Sequence, residues 1–357
     1  MALTVAPGFV DLMELADQRV TEVGVQTVED AIQMSVNLYL AESNKMLSAL
    51  VERTTKFKEK IDVPAATELQ PLHGDRDRPR PAGQLYSFDQ GYPLWSAGHA
   101  WGGGRITRAK MTVAEANKFT VQALTADSNW LIRHVLHALF YDNSFTYADE
   151  AHGDLTVVPL ANSDTQEYVL YNGTTATDTH YLAQADAIDD THNPFPDINA
   201  ELTEHPENTG EVVVYIPTNL KATVTALGGF VDNQHPALIP GSATDTLAYL
   251  PNFPVGEKVL GIVDDCWIVE WRRLPSSYMV ATMVGGDPFL AMRQEPEAEL
   301  QGLILEKYSD GGVNLENGFI RMAGFSPQRR TGAVVYRVGD AAYVPPSGYD
   351  VAKTLPS

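Results

Sequence analysis

Apolar residues recur at helical spacing from about Thr27 to Lys60, through Ile32, Val36, Leu40, Met46, Leu47 and Leu50. The pattern predicts an amphipathic helix or two, opening at Thr27-Val28-Glu29-Asp30. Such a stripe needs a partner surface, either in its own domain or on a neighbouring subunit. At Pro64 the pattern breaks. Residues 68–109 carry His73-Gly74-Asp75-Arg76-Asp77-Arg78-Pro79-Arg80-Pro81 and Trp101-Gly102-Gly103-Gly104-Arg105. Proline removes donors and glycine permits turns, so neither stretch is helix. A structureless loop of that length is unusual in a compact domain, and a long two-stranded excursion is expected instead. Its Leu85, Tyr86, Phe88, Tyr92, Leu94, Trp95 and Trp101 are more than an isolated ribbon can bury, so it is expected to lie on something else.

Thr112-Val113-Ala114-Glu115 has the form of a capping box, threonine at the N-cap and glutamate three residues on. From there Phe119, Ala123, Leu124, Leu131, Val135 and Leu139 hold one face, predicting a long spine helix over Thr112 to Phe140. Strands are expected at Leu155 to Pro159 and Glu167 to Tyr171. Asp178 to Pro206 is an acidic region with turn residues throughout. Glu211 to Ile216 reads as a buried strand, followed by a turn at Pro217-Thr218-Asn219 and a short helix from Leu220 to Leu227 capped by Thr218 or Asn219. Further strands are expected at Lys258 to Val263, Cys266 to Val269, Tyr278 to Val284 and Gly332 to Val338. Ala298 to Glu306 is mixed, and Pro345 opens a short tail. No internal repeat or low-complexity tract is evident.

Composition changes this picture mainly by exclusion. The 357 residues suffice for one large or two moderate domains. Lys+Arg of 25 against Asp+Glu of 46 gives a net charge of -21, which repels phosphate backbones and disfavours a sequence-reading nucleic-acid binder. The same surplus suits a cavity wall that encloses nucleic acid without gripping it. Cys266 is the single cysteine, which excludes an internal disulfide and a cysteine-rich zinc site. No secretory leader or membrane span is read, so a protein made in the cytosol and used in water is expected.

Catalytic motifs are missing from the sequence: no nucleophile elbow, phosphate loop, zincin helix or dinucleotide fingerprint. Gly102-Gly103-Gly104 is a turn, lacking the lysine and helix cap of a phosphate site. Asp178, His180, Asp189, Asp190 and His192 are the best metal candidates, since carboxylates and imidazoles ligate cations. Their spacing matches no calcium loop or zinc pattern, and a solvated acidic loop is the expectation, with a structural cation at a subunit contact as the alternative. His134 and His137, three apart on the helix, read as packing or surface histidines. Asn172-Gly-Thr reads as a turn, and Cys266 as a buried small hydrophobe. Arg76, Arg78 and Arg80 display guanidinium groups along an extended proline-rich ribbon, open to inter-subunit ion pairing, to nucleic-acid contact or to solvent. Arg329-Arg330 reads as a solvated turn.

The order of these elements resembles the major capsid proteins of tailed bacteriophages, whose shell fold is shared with encapsulin compartments. Val212-Val-Val-Tyr-Ile-Pro-Thr-Asn-Leu is similar to that family's strand and proline turn before an axial helix. Gly311 to Gly339, with Asn314, Phe319, Arg321 and Arg330 ahead of Ala333-Val-Val-Tyr, looks like its closing strand pair. The resemblance implies an α+β chain with the capsid (HK97-like) fold. It divides into an N-terminal arm with an amphipathic helix (1–66), an extended loop or long β-hairpin (67–110) and a peripheral domain (111–215) holding the spine helix. An axial domain with connecting strands (216–325) follows, then a closing strand and tail (326–357).

The resemblance further implies a structural protein and not an enzyme, with no cofactor and no metal. Its partners would be many copies of itself in hexamers and pentamers of an icosahedral shell around double-stranded DNA, with no membrane. A separate scaffolding protein, a portal and a decoration protein are the other expected partners. Assembly is expected in the bacterial host cytoplasm, and residence in the virion capsid. No lysine lies between Lys60 and Lys110, so a loop-borne covalent cross-link is not expected. Inter-subunit contacts are expected at Arg76, Arg78, Arg80, Tyr86, Phe88, Tyr92, Trp95, Trp101 and Arg105. Within the same fold an encapsulin-like shell is the alternative. A β-rich carbohydrate-binding module, stacking sugars on Trp95, Trp101, Tyr92 and Tyr86, is the alternative of another class.

Overall fold

The computed structural model of the chain describes residues 8–9, 12–48, 50–64, 84–101, 105–232, 258–307 and 317–349. A short helix α1 (Val20–Val23) leads into α2 (Val25–Leu47). α2 buries Val28, Ile32, Val36 and Tyr39, the three- to four-residue stripe that marks one helix face. The helix stops at Leu47, short of the expected Lys60. Past Leu50 the helical period fails, and β-branched Val51, Thr54, Ile61 and Val63 favour extended backbone. Residues Val51–Thr54 form β1 and Lys58–Pro64 form β2. β2 pairs antiparallel with β3 (Gln84–Gly91), where Lys58 meets Asp89 across the ladder at 2.7 Å. The excursion therefore starts inside the segment expected to be helical arm. β4 (Trp95–Trp101) and α3 (Arg105–Lys110) return the chain toward the body.

α4 (Val113–Phe140) has 28 residues, about 42 Å at 1.5 Å per residue. Its start is the expected one: the Glu115 amide donates to Thr112 Oγ1 at 3.3 Å, and the Thr112 amide donates to Glu115 Oε2 at 3.0 Å. The helix spans two cores. Val113, Ala116, Ala123 and Leu124 pack with the α2 stripe, Trp101 and Phe319. Leu131, Val135, Leu136, Leu139 and Phe140 join a second core with Val213, Tyr215, Val280 and Val335.

Beyond α4 come the hairpins β5 (Phe145–Asp149) with β6 (Gly153–Val157) and β7 (Asn162–Val169) with β8 (Thr175–Thr179). β9 (Tyr181–Gln184) and α5 (Phe195–Thr203) follow. α5 lies in the region expected to be turns throughout. Pro194 and Pro196 read there as punctuation, yet proline suits a helix's first turn, where amides lack intrahelical partners. β10 (Glu211–Ile216) leads through the proline turn to α6 (Lys221–Val224), a helix of one turn. Thr218 does not cap it. Its hydroxyl donates to Glu270 at 2.9 Å instead.

β11 (Val231–Asp232), β12 (Lys258–Val263), β13 (Cys266–Glu270) and β14 (Tyr278–Val284) continue the chain. β15 (Leu290–Arg293), β16 (Leu303–Lys307), β17 (Asn317–Pro327) and β18 (Ala333–Val338) complete it. The seven-stranded sheet runs β11-β12-β13-β10-β14-β18-β9. Strand residues alternate between faces, and both faces are covered. In β10, Val213 and Tyr215 face the core shared with α4, while Val212, Val214 and Ile216 face a third core with Phe195, Ile198 and Leu202 of α5. The β12–β13 hairpin turns on Asp264 and Asp265, both at positive φ (47° and 60°), the combination of a type I′ turn.

The other large sheet runs β1-β15-β17-β16, with β4 also pairing β17. β17 joins β16 over Asn317 to Arg321, β4 over Asn317 to Ala323, and β15 over Gly324 to Pro327. Gly324 is required at the changeover, because a Cβ there would strike the Pro93 carbonyl.

Candidate functional site

Of the expected contact residues whose side chains are described, two are half-buried and two are fully covered. Arg76, Arg78 and Arg80 lie outside the described residues. Tyr86 stands opposite Val63 in the β2–β3 ladder, and Arg105 opens α3. Phe88 is half-buried, with the Arg330 guanidinium 5.6 Å from its ring centre. Trp95 is half-buried and meets Tyr147 edge-on at 4.6 Å. Tyr92 and Trp101 correct the expectation. They are 1% and 5% exposed within their own chain. The Tyr92 hydroxyl donates to Glu59 Oε2 at 3.1 Å, and Trp101 stacks on Phe119 at 5.4 Å. Pairing of β4 with β17 turns Trp101 into the core between α2 and α4, so no neighbour is needed to cover it. The α2 stripe is likewise covered internally. Met34 and Leu38 on its other face stay 51% and 42% exposed, and Ile106 on α3 is 74% exposed.

Buried charge organises the junctions. Asp127, in the middle of α4, receives Arg321 Nη2 from β17 at 2.7 Å and the Tyr39 hydroxyl from α2 at 2.6 Å. Burial, followed by the Asp127 charge, pushes the Tyr39 phenol well above its ordinary range. One carboxylate therefore ties three elements. Arg293 donates to Asp149 at 2.7 Å and to the Tyr92 carbonyl at 2.9 Å. Burial opposes the charge on Asp149, yet the Arg293 and His152 hydrogen bonds hold its pKa at about 2. Arg330, expected in a solvated turn, is 2% exposed. It donates to the Pro159 carbonyl at 2.7 Å and to Asn162 at 3.1 Å, and pairs with Asp164 at 2.8 Å.

The metal candidates divide in two. Asp189 and His192 form an exposed turn, with the Thr191 and His192 amides donating to Asp189 at 2.8 and 2.7 Å, and Asp190 accepts from the Gly228 amide. Asp178 and His180 are elsewhere, at the end of β8, where they meet His205 from the turn after α5. Sequence reasoning missed His205, 27 positions from Asp178, although Glu201 and His205 share helical i,i+4 spacing. Asp178 Oδ2 lies 3.0 Å from His180 Nε2 and 2.6 Å from His205 Nε2, and the two Nε2 atoms are 3.3 Å apart. Burial would raise the Asp178 pKa, but hydrogen bonds with His180, His205 and Glu201 hold it far below the carboxylate range. Burial, then the hydrogen bond and charge of Asp178, lift Glu201 to about 9.

The remaining candidates are structural. His134 packs on Trp130 at 4.0 Å, and burial pulls its pKa down to about 4. His137 faces the Tyr349 carbonyl at 2.8 Å. Cys266 is buried, with its thiol pushed up to about 12 by burial and then by Asp264 and Asp265, which suppresses the thiolate.

No protein-family model and no curated protein matches the chain. Solved structures do. A chain from Mycobacterium phage Patience matches with a TM-score of 0.69 and 20% identity, over 99% of each chain. Weaker matches include the capsid of Ralstonia phage GP4, at TM-score 0.45 and 12% identity over 80% of this chain and 86% of that one. The virus-like particle from Pyrococcus furiosus gives 0.40 and 10% over 84% and 97%. Identities this low speak to architecture alone: the chain shares the α+β fold of the Mycobacterium phage Patience chain.

Proposed function

We propose that the chain is a major capsid protein of a tailed bacteriophage, self-assembling into hexamers and pentamers of an icosahedral shell that encloses double-stranded DNA. The observation that carries this reading is the correspondence in fold with the Mycobacterium phage Patience chain over almost the whole of both molecules. In this reading α2 and its flanks are the arm. The β2–β3 ribbon belongs to the extended loop, α4 is the spine of a peripheral domain, and the seven-stranded sheet with α5 and α6 belongs to the axial domain.

Contacts between subunits fall to Arg76, Arg78, Arg80, Tyr86, Phe88, Trp95 and Arg105, joined by Met34, Leu38 and Ile106. Tyr92 and Trp101 hold the root of the ribbon inside their own chain. Many modest interfaces become stable together when a closed shell multiplies them. The net charge of -21 favours enclosing DNA without gripping it. Scaffolding, portal and decoration proteins are the proposed partners, with assembly in the bacterial cytoplasm and locking that is non-covalent.

Size-exclusion chromatography with negative-stain microscopy of the full chain tests the reading. Shells or ring-shaped capsomers are expected. A stable 39.1 kDa monomer at every concentration overturns it. The variant Met34→Glu with Leu38→Glu, both at exposed positions, is expected to keep the monomer's circular dichroism and lose particles.

A further inference from the structure

The two imidazoles at the end of β8 and after α5 are each oriented by a backbone carbonyl. His180 Nδ1 lies 2.8 Å from the Ala333 carbonyl oxygen, and His205 Nδ1 lies 3.2 Å from that of Val169. A carbonyl only accepts, so each Nδ1 carries a proton, and in the neutral ring Nε2 presents a lone pair. Both Nε2 atoms aim at one Asp178 carboxylate oxygen, and the rings are 0% and 1% exposed. With the rings neutral, three acceptors converge where water cannot spread their charge. A positive charge must sit among them, either a proton that an imidazole donates to Asp178 or a bound metal ion.

We propose that His180 Nε2, His205 Nε2 and Asp178 Oδ2 bind one tetrahedral transition-metal dication of the zinc class. Zinc bonds of about 2.0–2.1 Å to nitrogen and oxygen set tetrahedral ligand–ligand edges of roughly 3.3 Å. The His180–His205 edge is 3.3 Å and the His180–Asp178 edge 3.0 Å, while the His205–Asp178 edge of 2.6 Å opens by several tenths of an ångström. The ligand atoms of Asp178, His180 and His205, and those of Asp178, Glu201 and Glu204, lie within 4.8 Å of one another in each set. Carbonyl-anchored Nδ1 atoms are the outer contacts that orient metal-binding histidines. Nitrogen donors select the zinc class over calcium. The ion would join the β7–β8 hairpin and α5 to the start of β18. The site stands whether or not the chain builds shells.

The test uses the full chain, stripped with chelator and dialysed, then given Zn²⁺ or Co²⁺ alone. One zinc per chain by elemental mass spectrometry, the intense visible spectrum of tetrahedral cobalt, and a higher Tm are expected. His180→Gln and His205→Gln are each expected to weaken zinc binding by at least the roughly 10- to 100-fold that a lost supporting contact costs. His192→Gln, on the exposed Asp189 turn, leaves it unchanged. Wild-type protein that takes up no stoichiometric zinc overturns the proposal, as does cobalt with a weak octahedral spectrum. Equal zinc binding by the His180 and His205 variants also overturns it. The wild-type arms decide the matter even if a variant fails to fold.

Discussion

Asp127 and Asp178 are both buried carboxylates near a helix, and they are completed in opposite ways. Asp127 receives a guanidinium and a phenol, donors whose protons are fixed at any physiological pH. Asp178 faces two imidazoles, groups that exist both with and without a proton on Nε2. The first centre is finished by folding alone. On the zinc proposal the second stays unfinished until an ion enters from solution, and that difference separates a structural clamp from a binding site.

The largest expected effect comes from breaking the finished centre. Arg321→Met leaves Asp127 charged and unpaired, and should cost roughly 3–5 kcal/mol in denaturant unfolding. Adding Asp127→Leu should recover most of that loss, because the uncompensated charge goes with it. His134, on the same helix, sharpens the contrast as an ionisable group with no charge partner. Its Nε2 finds no hydrogen-bond partner among the described residues. Its pKa falls from 6.5 to about 4 on folding, so the unfolded chain binds the proton first. Stability is therefore full above about 6.5 and declines as pH drops toward 4, by roughly 3 kcal/mol. Unfolding of His134→Gln across that range should show a flatter slope.

At the unfinished centre, free zinc at 100 times its dissociation constant should raise unfolding free energy by about 2.7 kcal/mol, read as a concentration-dependent Tm. His205→Gln should lose that dependence. The smallest effect belongs to the entrance of α4. Thr112→Ala removes one cap and should cost about 1 kcal/mol.

The same contrast explains what the sequence could reveal. Strands β10, β13, β14 and β18 are buried on both faces, so they stand out as near-continuous apolar runs such as Val212 to Ile216. The cap of α4 is written in two residues three apart, and it forms as expected. Charged Lys58, Glu59 and Lys60 hid the start of β2, because an exposed two-stranded ribbon shows little hydrophobic alternation. Asp127 meets Arg321 across 194 positions, and no local pattern encodes that pairing. Of the site at Asp178, the sequence offered Asp178 and His180. His205 joined only when α5 packed against the sheet, and the neighbouring Asp189 and His192 went elsewhere.

β17 has a mechanical consequence. Its Asn317 to Ala323 stretch is zipped along the whole of β4, the strand that brings the ribbon home, while its far end grips β15. A pull along β4 would load that entire ladder in shear, so its bonds must yield together and not one at a time. Tension reaching β4 would therefore be borne by its ladder with β17, whose Arg321 is tied to Asp127 on α4.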